Sequence, residues 1–161
     1  MGIQSTLYEA DFVAWTEQQA AALRHAAETR ANLPVDWLNV AEELESMGRN
    51  DKHALESHLT GIIEHLLKLD HSPAREPRRG WELSVRHHRR AIRKLVKDSP
   101  SLRPHLAAAF DECWLDGRDD AANGLDADGL MASDLPAACP YTLEQLLDEG
   151  WWPAVQGSKS L

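Results

Sequence analysis

One apolar stripe, running from Trp37 to Leu69, constrains this chain more than anything else in it. Trp37, Ala41, Leu44, Gly48, Leu55, Leu59, Ile62, Leu66 and Leu69 recur at intervals of three and four, with only Asp51 and Lys52 interrupting. At about 100° per residue, Leu55 and Leu59 stay in phase with Trp37 and Ala41, so one helical face carries through Gly48. The spacing predicts a single long helix, locally bent at Gly48, in preference to two helices meeting there. Asp36, after Pro34, is placed to cap its start. Glu42, Glu43 and Glu45 lie toward its beginning and His65, Lys68 and His71 toward its end, the charge order a helix dipole prefers. Such a helix is stable only when its stripe is covered, and other helices have to cover it.

The rest of the chain offers them. Thr6-Leu7-Tyr8-Glu9 fits a capping box, and Tyr8, Phe12, Trp15, Ala22, Leu23 and Ala26 follow at helical spacing. This predicts a helix from Leu7 to Thr29, ended by Asn32-Leu33-Pro34. After a proline-bearing basic connection, Trp81, Val85, His88, Ile92, Leu95 and Val96 line one helical face, with Arg86, Arg90, Arg93 and Lys97 opposite. Ser99-Pro100 reads as an N-cap and first helical residue for a further helix through Leu102, Leu106, Ala109, Phe110, Cys113 and Gly117. Asn123-Gly124 is its expected left-handed stop. Leu125 to Pro140 is turn-rich. Thr142-Leu143-Glu144-Gln145 is a second capping box, opening a short helix that Gly150 ends, after which Trp151-Trp152-Pro153 is expected to pack back. Residues 156–161 read as a frayed tail. No stretch alternates with period two. The expected fold is therefore all-α, a bundle of four main helices plus a short C-terminal helix, in one domain over 1–161 with its core at about 7–153.

A chain of 161 residues with 43% hydrophobic and 27% charged residues fits one globular domain. It has no apolar run of the roughly 18 residues a membrane span needs and no secretory leader pattern, so a cytoplasmic protein with no membrane partner is expected. Cys113 and Cys139 lack metal-ligand spacing and read as small buried hydrophobes in a reducing compartment. The net charge of −9 argues against a generic nucleic-acid binder. Yet from Arg75 to Lys97 nine Lys or Arg face only Glu76 and Glu82, a local +7 that leaves −16 for the remainder.

Three constellations could carry chemistry. His58 and His65 share a flank of the long helix, but seven residues is about 10 Å along the axis, too far for that pair alone to hold one ion. A metal site would combine one of them with Glu42 or Glu45, or with Asp11 or His25, and neither Glu-x-x-His nor His-Glu-x-x-His occurs. The simpler reading is histidines satisfying polar neighbours at the core edge. Glu42 and Glu45, neighbours at i and i+3, could be acid–base groups; a Glu45–Arg49 pair at i and i+4 explains them structurally. The basic face of Arg86, Arg90, Arg93 and Lys97 could meet phosphates, an acidic protein or acidic helices of its own fold. No aromatic interleaves it, which disfavours nucleic acid. No nucleophile elbow, P-loop or dinucleotide fingerprint is present, and Asp126-Ala127-Asp128-Gly129 reads as a turn, not a calcium loop.

Tyr8 to Trp15, Asp36 to Arg49, His65 to Lys68, Ser99 to Arg103 and Cys139 to Leu147 together resemble a bacterial family catalogued as domain-of-unknown-function family 29. These stretches keep the expected order over roughly Tyr8 to Trp152, and the last is the most specific. The resemblance implies an all-helical domain and supplies no activity. The function expected is that of a non-catalytic interaction or regulatory protein, with Arg86, Arg90, Arg93 and Lys97 as its binding surface. It would need no cofactor, and its partner would be a protein, a second copy of the chain among the candidates. The alternative is a metal-dependent bundle enzyme using His58 or His65 with Glu42 or Glu45; nucleic-acid binding through the arginines is weaker still.

Overall fold

In the computed structural model, which describes residues 3–29 and 32–154, every regular element is helical. The order is α1 (Ile3–Ala10), α2 (Phe12–Glu28), α3 (Trp37–His71), α4 (Arg78–Asp98), α5 (Leu102–Leu125), 3-10 turns at Asp126–Asp128 and Ala132–Asp134, and α6 (Leu143–Leu147). The expected class holds: an all-α helical fold with four long helices and a short C-terminal one. α3 is one helix through Gly48, and Asp36 caps it, accepting the Asn39 N–H at 3.3 Å. No helix among the described residues is long and apolar enough to cross a membrane. The tail over 156–161 lies outside the described residues. The chain divides into two compact units, Met1–Leu55 with Lys94–His105, and Glu56–Arg93 with Leu106–Leu161.

In the first unit the N-terminal region departs from expectation. The single helix read over Leu7 to Thr29 is two, and Thr6 lies inside α1 instead of capping a helix. Asp11 makes the break: its backbone is extended (φ −155°, ψ 95°) and its carboxylate accepts the Ala14 N–H at 2.9 Å, a side-chain cap that starts α2 afresh. The same carboxylate accepts from the Ser101 N–H at 2.7 Å and the Ser101 hydroxyl at 2.8 Å. In return, the buried Ser99 hydroxyl accepts the Val13 N–H at 3.1 Å. The starts of α2 and α5 thus satisfy each other's unpaired donors. Because Ser99 is engaged in this way and Pro100 and Ser101 form a turn, α5 begins at Leu102, two residues later than the Ser-Pro signal predicts. Val13 and Ala20 of α2 are buried with Ala41 and Leu55 of α3, Val96 of α4 and Leu102 of α5. Gly48 serves this packing: a Cβ there would sit 2.6 Å from the Thr16 hydroxyl.

In the second unit α3 is buried more widely than the stripe alone. Leu59, Ile62 and Leu66 are inaccessible, and so are Ile63 and Leu67 beside them. Val85 and Ile92 of α4 and Leu106, Cys113, Trp114, Ala121 and Leu125 of α5 complete this core with Leu146 of α6. The expected stop at Asn123-Gly124 does not occur. Gly124 is helical, and a Cβ on it would lie 2.5 Å from Cε of Lys68, so it is small for packing and not for turning. The left-handed residue is Gly129 (φ 77°), which follows the 3-10 turn at Asp126–Asp128. Arg118 pins the turn-rich segment by donating to the Pro136 and Ala132 carbonyls, both at 2.7 Å. The second capping box forms as read, with Gln145 N–H to Thr142 Oγ1 at 3.1 Å and Thr142 N–H to Gln145 Oε1 at 3.0 Å. Tyr141 donates its hydroxyl to Asp70 at 3.0 Å and meets Trp151 edge-on.

Candidate functional site

α4 sorts its charges by face. Arg86, Arg90, Arg93 and Lys97 are all exposed, while Val85, Ile92 and Val96 are buried. Arg86 and Arg90 form no ion pair among the described residues, and Arg93 binds Glu149 at 2.5 Å. One arginine defies the pattern. Arg89 is only 2% exposed; its Nε donates to the Leu146 carbonyl at 2.8 Å and its Nη2 to the Gln145 carbonyl at 3.2 Å. Burial pulls its pKa below the usual arginine range, with Asp148 opposing that shift. Trp152 lies against Arg86 and Arg89, whose guanidinium carbons are 5.1 and 5.0 Å from its ring centroid, within cation–π range. Arg86, Arg89, Arg90, Arg93 and Glu149 enclose a recess of about 170 Å³.

On the other side of the chemistry lies a histidine cluster. His58 and His65, seven apart on α3, both lie beside His88 of α4, with ring centroids at 5.2 and 6.0 Å. Gly61, between them in sequence, provides the notch: a Cβ there would come within 2.5 Å of His88 Nε2. His58 Nδ1 and His88 Nδ1 are 2.9 Å apart, a separation that needs one nitrogen to donate and the other to accept. His87 completes the group, 5.6 Å from His88 between ring centroids. Adjacent to it, a cavity of about 700 Å³ is lined by Glu56, Glu64, Glu112, Asp116, Asp119 and Asp120, with His88 and Cys113. Partial burial, then Glu64 and Asp116, raise the Asp120 carboxyl above its ordinary value. The cavity is a strongly negative surface.

Burial, then the neighbouring His58, His65 and His87, push the His88 pKa down to about 4, with Glu64 opposing. Burial and then His87 lower His58 as well. An unfolded histidine takes its proton near pH 6.5, so between there and about pH 4 the unfolded chain binds protons that the folded one refuses. The resulting stabilisation is complete above pH 6.5 and is lost as the pH falls toward 4. Denaturant unfolding at pH 7, 6, 5 and 4 should therefore show stability dropping more steeply for the wild type than for His88→Gln. Equal slopes would mean that His88 titrates as it does in the unfolded chain.

The carboxylates named with the histidines lie elsewhere on α3. Glu45 and Glu42 both engage Arg24 and Arg49. The Glu45–Arg49 pair stands at 3.7 Å, but the closer partner is Arg24 of α2, whose hydrogen bond is the main reason the Glu45 carboxyl is held below its usual range. From Glu45 to His58 is thirteen residues of continuous helix, roughly 20 Å along its axis. His58 and His65 are brought together with His88, not with Glu42 or Glu45. Among the described residues no three His, Cys, Asp or Glu are arranged to hold a metal ion. Sequence reading missed Arg24, Arg89 and His88 as partners. The i, i+3 spacing of Arg86 and Arg89 and the placing of His88 on the apolar face were the available signals.

Comparison with known proteins gives two matches. The family model described as domain of unknown function DUF29 matches residues 7–152. A crystal structure of an alpha-helical protein of unknown function from Rhodospirillum rubrum superposes with a TM-score of 0.74 at 24% identity, covering 89% of this chain and 90% of that one. At that identity the likeness is one of fold. No curated protein matches.

Proposed function

This chain belongs to the DUF29 family, and on that premise we propose that it is a non-catalytic cytoplasmic interaction protein whose basic α4 face takes an acidic protein partner. One observation carries the reading. Arg86, Arg90 and Arg93 project from one side of α4 while its apolar residues are buried, and among the described residues only Arg93 of the three is engaged by a carboxylate. Exposed guanidiniums without a carboxylate partner cost little in the free protein and gain charge-assisted hydrogen bonds on contact. Free thiols at Cys113 and Cys139 suit a reducing compartment.

The double variant Arg90→Gln/Arg93→Gln should melt close to the wild type, since such surface charges contribute within about 0.5 kcal/mol each. Its binding to a polyglutamate peptide should weaken, and the salt dependence should flatten. A loss of several kcal/mol would make these arginines structural. Absence of polyglutamate binding at low salt would remove the interaction reading, and equally strong, salt-sensitive binding to duplex DNA would favour a nucleic-acid partner.

A further inference from the structure

We infer that the recess between Arg86, Arg89, Arg90 and Arg93 is a binding site for a compact oxyanion of the phosphate-monoester class. The inference rests on the reading of α4 as an anion-facing surface and names the group it recognises. Positions 86, 89, 90 and 93 follow i, i+3, i+4, i+7, so α4 delivers four guanidiniums to one side within two turns. They enclose about 170 Å³, the share of five or six waters, which suits a phosphate group and little more.

Arg89 makes the recess a built site. It is 2% exposed, two of its nitrogens are fixed on the Leu146 and Gln145 carbonyls, and its buried Nη1 finds no hydrogen-bond partner among the described residues. Trp152 lies against both Arg86 and Arg89, so the donors are oriented before any ligand arrives, which lowers the ordering cost of binding. Among the described residues Glu149 supplies the one carboxylate in the lining, and Arg93 holds it at 2.5 Å. The lining therefore carries +3, reduced to +2 by Asp148, whose charge reaches Arg89. A dianion balances that remainder, and guanidinium forks match phosphate oxygens in pairs. Glu149 competes for the same donors.

Inorganic phosphate titrated calorimetrically, at ionic strength held constant with chloride, tests this. The wild type should bind phosphate, Arg86→Gln and Arg93→Gln should each weaken it about tenfold, and Glu149→Gln should tighten it severalfold. Removing a carboxylate more than a Debye length from the recess should leave the affinity nearly unchanged, so the gain reports a charge held beside the ligand. Arg86 and Arg93 are exposed, so their variants keep the fold; Arg89→Lys, checked by its melt, probes the buried donor. A phosphoserine peptide and its unphosphorylated twin separate the sources: preference for the phosphorylated peptide over free phosphate points to a modified protein, the reverse to a free oxyanion. Phosphate binding that is absent in both wild type and Glu149→Gln, or unchanged in both arginine variants, overturns the inference. If polyglutamate then still binds, the interaction reading survives alone; if neither binds, both fall.

Discussion

Leu59→Ala and Leu66→Ala should each destabilise the protein by about 2–5 kcal/mol, the range for truncating a leucine in a packed core. Both side chains are inaccessible, and so are their neighbours Ile62, Ile63 and Leu67, so little slack exists for collapse around the lost atoms. Measured by urea unfolding, with the slope checked for constancy, a cost under about 1 kcal/mol at both sites would mean that this face of α3 is not a core at all. Leu38, exposed on the same helix, is the control: its change to alanine should fall within about 0.5 kcal/mol.

Replacing Arg89 by alanine should cost about as much, on the order of 2–4 kcal/mol, although its head group is charged. The guanidinium satisfies the carbonyls of Leu146 and Gln145. Removing it strips two charge-assisted hydrogen bonds and leaves the buried Leu146 end of α6 without a donor. Arg90→Gln, one position along and exposed, should be nearly silent. The contrast between adjacent arginines is the measurement. Equal and small effects at both would show that α6 is held by Leu146 packing alone.

The long periodic elements were legible because burial follows the same 3.6-residue period as the sequence. α3 through Gly48, the Asp36 cap, the Thr142–Gln145 box and the exposed basic face all follow from local pattern. What the pattern misread depends on distant partners. Asp11 breaks the N-terminal helix because Ser99 and Ser101 arrive ninety or so residues later to share its cap. Gly124 lies inside a helix, and its missing side chain leaves room for Lys68. Arg89 looks like its basic neighbours until α6 offers it carbonyls, and His58 and His65, too far apart to act as a pair, share His88 across the Gly61 notch. Charge and spacing identify a basic helix; only the tertiary fold distinguishes the arginine that binds inward from those that face out.

The shared caps at the starts of α2 and α5 have a consequence in time. Val13 meets Ser99 across 86 residues and Asp11 meets Ser101 across 90. At the usual rate of about 5–20 residues per second, the ribosome needs roughly 4–18 s to make the chain between those partners. During that interval α2 has its own Asp11 cap and can pack on α3, but the Val13 N–H and the Asp11 carboxylate still lack the partners that complete the cap. The cap of α2 is therefore completed only when the Ser99–Ser101 turn arrives. The closure has to span the whole of α3 and α4, a long-range contact of the kind that slows folding more than it weakens the folded state.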